Sequence, residues 1–338
     1  MPNAATPTPA QSLQQMLTAS WVTQAIYAAA KLDLAERIAG GPKTAAELAQ
    51  ETGMLAEPLF RLLRALVGLG LFKKDASDRF ALTPVGELLR AGHPDSKRAM
   101  AIMIGEEHHR AWGELLYSLQ TGKPAFDHVY GEPVFDYLAK HPAAGANFDA
   151  AMTAIHGRET AAMIEAYDFS GIDHLVDVGG GNGTLLSMVL ARYPNLRGTL
   201  YDLPHVVDRN RDKLREAGIA DRCRAVGGDF FQNVPTGANA YLMRHIIHDW
   251  DDERSIAILD NCRRAMADGG RVLLIEIVLG DDLKSNFGPM LDLNMLVMPG
   301  GKERTAAEYR QLFSAAGLKL SRIIPTTADV SVIEAVTA

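Results

Sequence analysis

A run of glycines, Gly179-Gly180-Gly181-Asn182-Gly183, separates the apolar stretch HLVDV from the helix-like TLLSMVLARYP. Glycine there lets the chain turn sharply and lets a ligand lie against bare backbone. A dinucleotide fingerprint has the spacing G-x-G-x-x-G, but counting from Gly179 the sixth position is Thr184, so the spacing is G-x-G-x-G. A pyrophosphate at the helix start needs no acid just before the loop. Asp177 nevertheless stands there, where an unpaired buried acid is costly and a ligand ammonium would satisfy it. Asp202 ends the next apolar run 19 residues past Gly183, a place from which a carboxylate can hold both ribose hydroxyls. Asp229, in GDFF, can accept a hydrogen bond from an adenine amino group, with Phe230 against the ring. Each acid alone could be a solvated loop residue. Three at successive strand ends point to a nucleoside that carries positive rather than phosphate charge, S-adenosylmethionine.

A second group can move protons. NAYLMR leads into His245-Ile246-Ile247-His248-Asp249-Trp250. A lone histidine is commonly a core residue, but both of these follow a strand's carboxyl end, where sheets of this type place ligands, and they compete for one role. Glu276 interrupts the apolar RVLLIEIVL, so its carboxylate needs a partner such as a histidine hydrogen bond. Glu303, in GGKERT, precedes a helix start at which Thr305 and Glu308 form a capping box; an acid favoured by the helix dipole is the alternative reading. Asp249, Asp251 and Asp252 adjoin at a helix start without a matching ligand cluster, so no metal is expected. Cys223 and Cys262, 39 positions apart and outside any C-x-x-C pattern, read as reduced thiols in or near the core.

The elements that must position these residues fit a chain of 338 residues, long enough for about two domains. A 47% hydrophobic and 22% charged composition excludes a disordered, collagen-like or disulfide-stapled chain. A net charge of −7 argues against a nucleic acid or an anionic membrane as main partner. The start, MPNAATPTPA, reads as a frayed tail rather than a signal peptide, and no apolar run approaches the roughly 20 residues that span a bilayer. A cytoplasmic protein is expected.

From Gln11 to about Gly40 the apolar spacing predicts helix; a Thr44–Glu47 capping box starts a short helix ending at Gly53; and a further helix runs from about Glu57 to Leu69. Two short strands around a polar turn follow in LFKKDASDRFALTP, completing a winged-helix pattern over residues 11–98. A DNA-reading second helix would offer only Arg61 and Arg64, and the long apolar helix before it wants a partner surface, so a dimer-forming module is the favoured reading. Residues 99–169 read as helices rich in large apolar side chains. From residue 170 to 338, seven apolar or alternating runs, most of the first six separated by helices, predict an α/β, doubly wound, mostly parallel sheet. Only TTAD separates the last two runs, which points to an antiparallel seventh strand.

LVDVGGGNG, YDLP, GDFF, HDWDDE and GGKERT, in this order behind a winged-helix front half, resemble the S-adenosylmethionine-dependent small-molecule O-methyltransferases of the plant caffeic acid and bacterial phenazine or polyketide type. The likeness covers nearly the whole chain, and GEEHHRAW, residues 105–112, is similar to phenazine methyltransferases. It implies a Rossmann-like class I methyltransferase domain behind a mainly helical winged-helix dimerisation domain, and a homodimer. It implies cofactor contacts from Gly179, Gly181, Asp202, Leu203, Asp229, Phe230 and Arg244; plant members usually have lysine where Arg244 stands, which keeps the charge and changes its geometry. The H-D-W match selects His248 as the base, leaving His245 as a packing or cofactor-side residue, with Glu276 and Glu303 bracketing the His248 imidazole. A phenol near pKa 10 is mismatched to a histidine near 6.5 by about 5 kcal/mol, which the two acids and the sulfonium must offset. Trp112, Met152, His156, Met295 and Met298 are the expected walls of a pocket for a flat hydroxylated aromatic. An N- or C-methyltransferase of the same fold and a non-enzymatic DNA-binding regulator are the alternatives.

Overall fold

The computed structural model describes residues 7–280 and 287–338. It divides into two compact units: the residues up to Arg110 with Leu138–Ala154, and Ala111–Tyr137 with Ile155–Ala338. The segment 99–169 is therefore shared between them.

In the first unit the helical region expected from Gln11 to Gly40 is three helices, Pro9–Leu17, Ala19–Lys31 and Leu34–Ala39. Asp33, in the left-handed region at φ 58°, makes the second break. Of the expected tail, residues 1–6 lie outside the described residues, while Pro9 already begins a helix capped by Thr8 and Gln11. The second capping box forms as its sequence predicts: the Glu47 N–H donates to Thr44 Oγ1 at 3.2 Å and the Thr44 N–H to Glu47 Oε2 at 2.7 Å. The helix Ala56–Gly68 buries Leu59, Leu63 and Leu66 at helical spacing, and Phe72–Lys74 pairs antiparallel with Arg79–Leu82. Lys43–Thr44 adds a third short strand, which completes the winged-helix arrangement. The first helix buries nothing; Leu13, Met16, Leu17 and Trp21 are 58–73% exposed and form an apolar stripe.

The second unit carries a seven-stranded sheet. Its strands are β1 (His174–Val178), β2 (Arg197–Asp202), β3 (Cys223–Gly227), β4 (Ala240–Arg244), β5 (Arg271–Glu276), β6 (Leu318–Pro325) and β7 (Ser331–Thr337). Their spatial order is β3-β2-β1-β4-β5-β7-β6; the first five run parallel and β7 runs antiparallel to both neighbours, as its short connection predicts. The sheet is apolar on both faces: Leu175, Leu242 and Leu273 pack into one core, Val176, Tyr241 and Val272 into the other. Each core also takes one buried free thiol, Cys223 or Cys262. The sequence order reverses beside β1, so the segments following β1 and β4 share the crevice that such sheets use for ligands.

RVLLIEIVL is not one strand. Sheet pairing ends at Glu276, opposite Ser331, and Val278–Leu279 instead pairs parallel with Arg304–Thr305. That ribbon brings the GGKERT loop beside the end of β5. Among the described residues, no helix is long and apolar enough to cross a membrane.

Candidate active site

The glycine loop leaves β1 with Gly179, Gly181 and Gly183 at φ 72°, 57° and 75°, values that strain any side-chain-bearing residue. A Cβ on Gly179 would stand 2.4 Å from Ile246 Cδ1, and one on Gly180 would stand 2.4 Å from Leu200 Cδ1 and 2.7 Å from Asp177 Oδ2. The Gly181 N–H donates to Asp202 Oδ2 at 2.8 Å and the Leu203 N–H to Asp202 Oδ1 at 2.7 Å, which fixes that carboxylate at the end of β2. Leu203 is exposed beside it. The Phe230 ring lies 3.9 Å from where a Gly179 Cβ would be, and Asp229 turns into its own loop, accepting the Phe231 N–H at 2.9 Å. Arg244, at the end of β4, donates to Thr160 Oγ1 at 2.7 Å; burial lowers its pKa while Asp177 and Glu159 support its charge.

Asp177 is buried, and its Oδ2 has no hydrogen-bond partner. Burial lifts its carboxyl to about 7 in spite of the nearby Arg244. A close-packed glycine cradle beside a buried acid with an unused oxygen suits a ligand with a cationic end and no phosphate.

After β4 the backbone turns sharply. His245 sits in the left-handed region at φ 52°, its N–H donating to Ile275 O at 3.1 Å, and a single helical turn, Ile247–Asp249, follows. Glu276, fully buried, is satisfied mainly by backbone rather than by a histidine: its Oε1 accepts the N–H groups of Ile246, Ile247 and His248 at 3.2, 3.0 and 3.4 Å. Its Oε2 lacks a hydrogen bond and lies 3.6 Å from both His245 Nδ1 and His248 Nδ1. Glu303 Oε1 meets His248 Nδ1 at 2.7 Å, and Asp292 Oδ1 accepts the Glu303 N–H at 2.9 Å. The ring is thus held by its Nδ1 edge. Nε2 faces Asp249 Oδ1, 3.5 Å away, with no other partner among the described residues. Burial opposes a charged ring, but Glu276, Asp249 and Glu303 together outweigh it and lift His248 to about 10. Burial pushes Asp249 up to about 7, partly offset by His248.

The turn is clamped from the GGKERT loop. Gly301 comes so close that a Cβ there would stand 2.0 Å from His248 O, and the Lys302 N–H donates to that oxygen at 2.9 Å. Arg304, fully buried, donates to Ile247 O at 3.0 Å, Trp250 O at 2.9 Å and Asp252 Oδ1 at 2.8 Å. Thr305 and Glu308 then form the expected capping box.

Of the expected pocket residues, Trp112 donates its ring N–H to Asn294 Oδ1 at 2.9 Å, and the buried Met295 and Met298 lie on and just beyond the same helix, Phe287–Val297. His156 stacks on His245, with ring centroids 4.8 Å apart and planes at 16°. Burial holds His156 well below the usual histidine value. Met152 is half-buried and belongs to the first unit. His245, expected as a packing or cofactor-side residue, bonds through Nε2 to Glu159 Oε2 at 3.0 Å. His156, Glu159 and His245 bring three donor atoms within 4.8 Å of one another, yet the two imidazoles lie face to face, so one ion cannot occupy both ring planes. Sequence reasoning missed Glu159, Asp292, Asn294 and Arg304. Only Glu159 had a local signal, its three-residue spacing from His156 on one helix.

Comparison with known proteins identifies the family. The family model described as O-methyltransferase domain matches residues 112–319, and that described as O-methyltransferase dimerisation domain matches residues 14–92. The chain belongs to the O-methyltransferase family. It is 46% identical over 323 residues to the phenazine O-methyltransferase PhzM of Lysobacter antibioticus, covering 96% of this chain and 95% of that protein. The crystal structure of LaPhzM superposes with a TM-score of 0.94 at 46% identity, covering 98% of this chain and 100% of that one. NcsB1, an O-methyltransferase from neocarzinostatin biosynthesis solved with S-adenosyl-L-homocysteine and 1,4-dihydroxy-2-naphthoic acid, gives 0.85 at 37% identity, covering 94% of this chain and 96% of that one.

Proposed function

We propose that this enzyme moves the methyl group of S-adenosylmethionine to a hydroxyl of an aromatic small molecule, a phenazine, polyketide or phenylpropanoid phenol of secondary metabolism, with His248 as general base. The observation that carries this reading is the imidazole fixed by Glu303 at Nδ1 at the carboxyl edge of the sheet, its Nε2 meeting only Asp249 Oδ1 at 3.5 Å among the described residues. The names of relatives acting on phenazines and hydroxynaphthoates support the acceptor class.

When bound, S-adenosylmethionine supplies an electrophilic methyl on a sulfonium. Gly179 and Gly181 would cradle it, Asp202 would hold its ribose, Leu203, Asp229 and Phe230 its adenine, with Arg244 beside Asp177. His248 takes the acceptor proton on Nε2 while Glu276 and Glu303 steady the charged ring. A ring lifted to about 10 matches a phenol's proton affinity, so the transfer itself loses its mismatch of about 5 kcal/mol, while at neutral pH the ring must first give up its own proton. Trp112, His156, Met295 and Met298 are assigned to the acceptor pocket, and apolar walls favour an attack in which opposite charges cancel. No metal takes part in this reading. A homodimer joins through the N-terminal unit, supported by the dimerisation-domain match and the apolar stripe from Leu13 to Trp21. Location in the cytoplasm, with neither nucleic acid nor membrane as partner, completes it.

The test is a panel of hydroxylated aromatics with methyl-labelled cofactor and excess chelator. Label on an aromatic oxygen at undiminished rate is expected; label on nitrogen or carbon, or loss of activity in chelator, contradicts the reading.

Asp177 makes a second prediction. With its carboxyl at about 7, it is largely protonated below that pH, and a cationic ligand favours the ionised form. Cofactor binding between pH 5 and 7 is therefore expected to release a proton and to tighten as pH rises, levelling near 7, as calorimetry in buffers of different ionisation enthalpy would show. Asp177→Asn should abolish the dependence, whereas a wild-type Kd that does not change over this range rules out the contact.

A further inference from the structure

His245 is built into the site more firmly than a packing residue requires. It occupies the left-handed backbone region, at φ 52°, strained for a residue with a side chain and held there by the surrounding structure. Its ring is fixed on three sides, by Glu159 at Nε2, by the stacked His156, and by Glu276, whose Oε2 lies 3.6 Å from His245 Nδ1. The same oxygen lies 3.6 Å from His248 Nδ1, and neither it nor His245 Nδ1 has a hydrogen-bond partner. Two imidazoles, their centroids 4.9 Å apart, thus share one buried carboxylate. Each has a second acid of its own, Glu159 for His245 and Glu303 for His248.

We propose that His245, anchored by Glu159, is a positioning residue that shares Glu276 with His248 and so limits how tightly His248 holds its proton. The inference rests on the reading of His248 as the proton-accepting ring. A charged His245 neutralises part of Glu276, and its positive charge opposes a second one on His248. Without it, the whole charge of Glu276 acts on His248, which then gives up its proton only at higher pH. The groups around the pair are Glu159 and His156 from the helix Pro142–Ala166, Glu276 from β5, Arg244 from the end of β4, Asp249 from the turn that follows it, and Glu303 from its loop. Burial disfavours charge on His245, but Glu159 and Glu276 raise its pKa above the ordinary value, which supports a protonated ring at neutral pH.

The test uses the full chain with ¹⁵N-labelled histidine, following the His248 ring titration by NMR in wild type, His245→Gly and Glu159→Gln. Glycine suits the left-handed backbone at that position, and Glu159→Gln leaves the turn's own residues intact. In His245→Gly the His248 titration is expected to move up by about one pH unit or more. Added imidazole should return it, and Glu159→Gln should move it the same way by less. kcat/KM at neutral pH should fall severalfold, with the deficit closing as pH rises. An unmoved His248 titration in both variants, or a loss of turnover equal at every pH, overturns the proposal. The NMR readout needs no acceptor, so failure of the methyl-transfer reading would appear separately, as a wild-type chain that titrates as described and turns nothing over.

Discussion

Replacing His248 with alanine is expected to lower kcat by about 10²- to 10⁴-fold, the usual contribution of a positioned general base. Cofactor affinity should stay within about twofold of wild type, because His248 lies in the turn after β4, apart from the Asp177, Gly181 and Asp202 group that would hold the cofactor. The pH profile adds a second signature. A ring lifted to about 10 is protonated at neutral pH and must empty before it can take an acceptor proton. Wild-type kcat/KM should therefore climb through the neutral range toward pH 10, by up to about tenfold per unit. His248→Ala should lose that climb for an acceptor whose own ionisation lies higher. Steady-state assays with labelled cofactor from pH 6.5 to 9.5 measure both effects. A variant with wild-type turnover would remove His248 from the chemistry.

Arg304 carries the second large effect, on the fold of the site rather than its chemistry. Its buried guanidinium holds the carbonyls of Ile247 and Trp250 and the carboxylate of Asp252, closing the turn that presents His248. Arg304→Met removes these charge-assisted bonds, leaving the two carbonyls only the longer 3.3 Å contacts from Ser255 Oγ and the Trp250 N–H, and is expected to cost about 2–3 kcal/mol. Thermal unfolding should begin about 5 °C lower, and kcat should fall more than KM rises, since the loosened turn carries His248, the proposed base. Arg304→Lys keeps the charge but not the fork, so it should recover only a small part of either loss. A melting temperature for Arg304→Met within about 2 °C of wild type would show that the clamp is dispensable.

What could be read from the sequence, and what could not, follows the range of the interactions. The capping boxes at Thr44–Glu47 and Thr305–Glu308 are contacts three residues apart, and they form as their spacing predicts. The antiparallel β7 follows from a turn too short for a crossover. Asp177, Asp202 and Asp229 could be found because parallel strands repeat one geometry, each acid falling at or just beyond a strand's carboxyl end. Arg304 left no such trace. Apart from the Lys302 carbonyl two residues back, its partners lie 49 to 57 positions away, and no sequence pattern distinguishes it from a solvated arginine in a loop. The same holds for Glu159, 86 positions from His245, and for Asn294, 182 from Trp112. Glu276 was recognised as an anomaly in an apolar run, but its main partners are three backbone N–H groups, which no side-chain pattern encodes. The end of β5 at Glu276 depends on pairing with Ser331 and was equally invisible in RVLLIEIVL.

The most direct measurement is a crystal structure of the chain with S-adenosyl-L-homocysteine and a hydroxylated aromatic that it methylates. His248 Nε2 should lie about 2.6–3.2 Å from the acceptor oxygen, with Nδ1 still on Glu303. An acceptor hydroxyl bound out of reach of that nitrogen, or an imidazole rotated away from Glu303, would contradict the account.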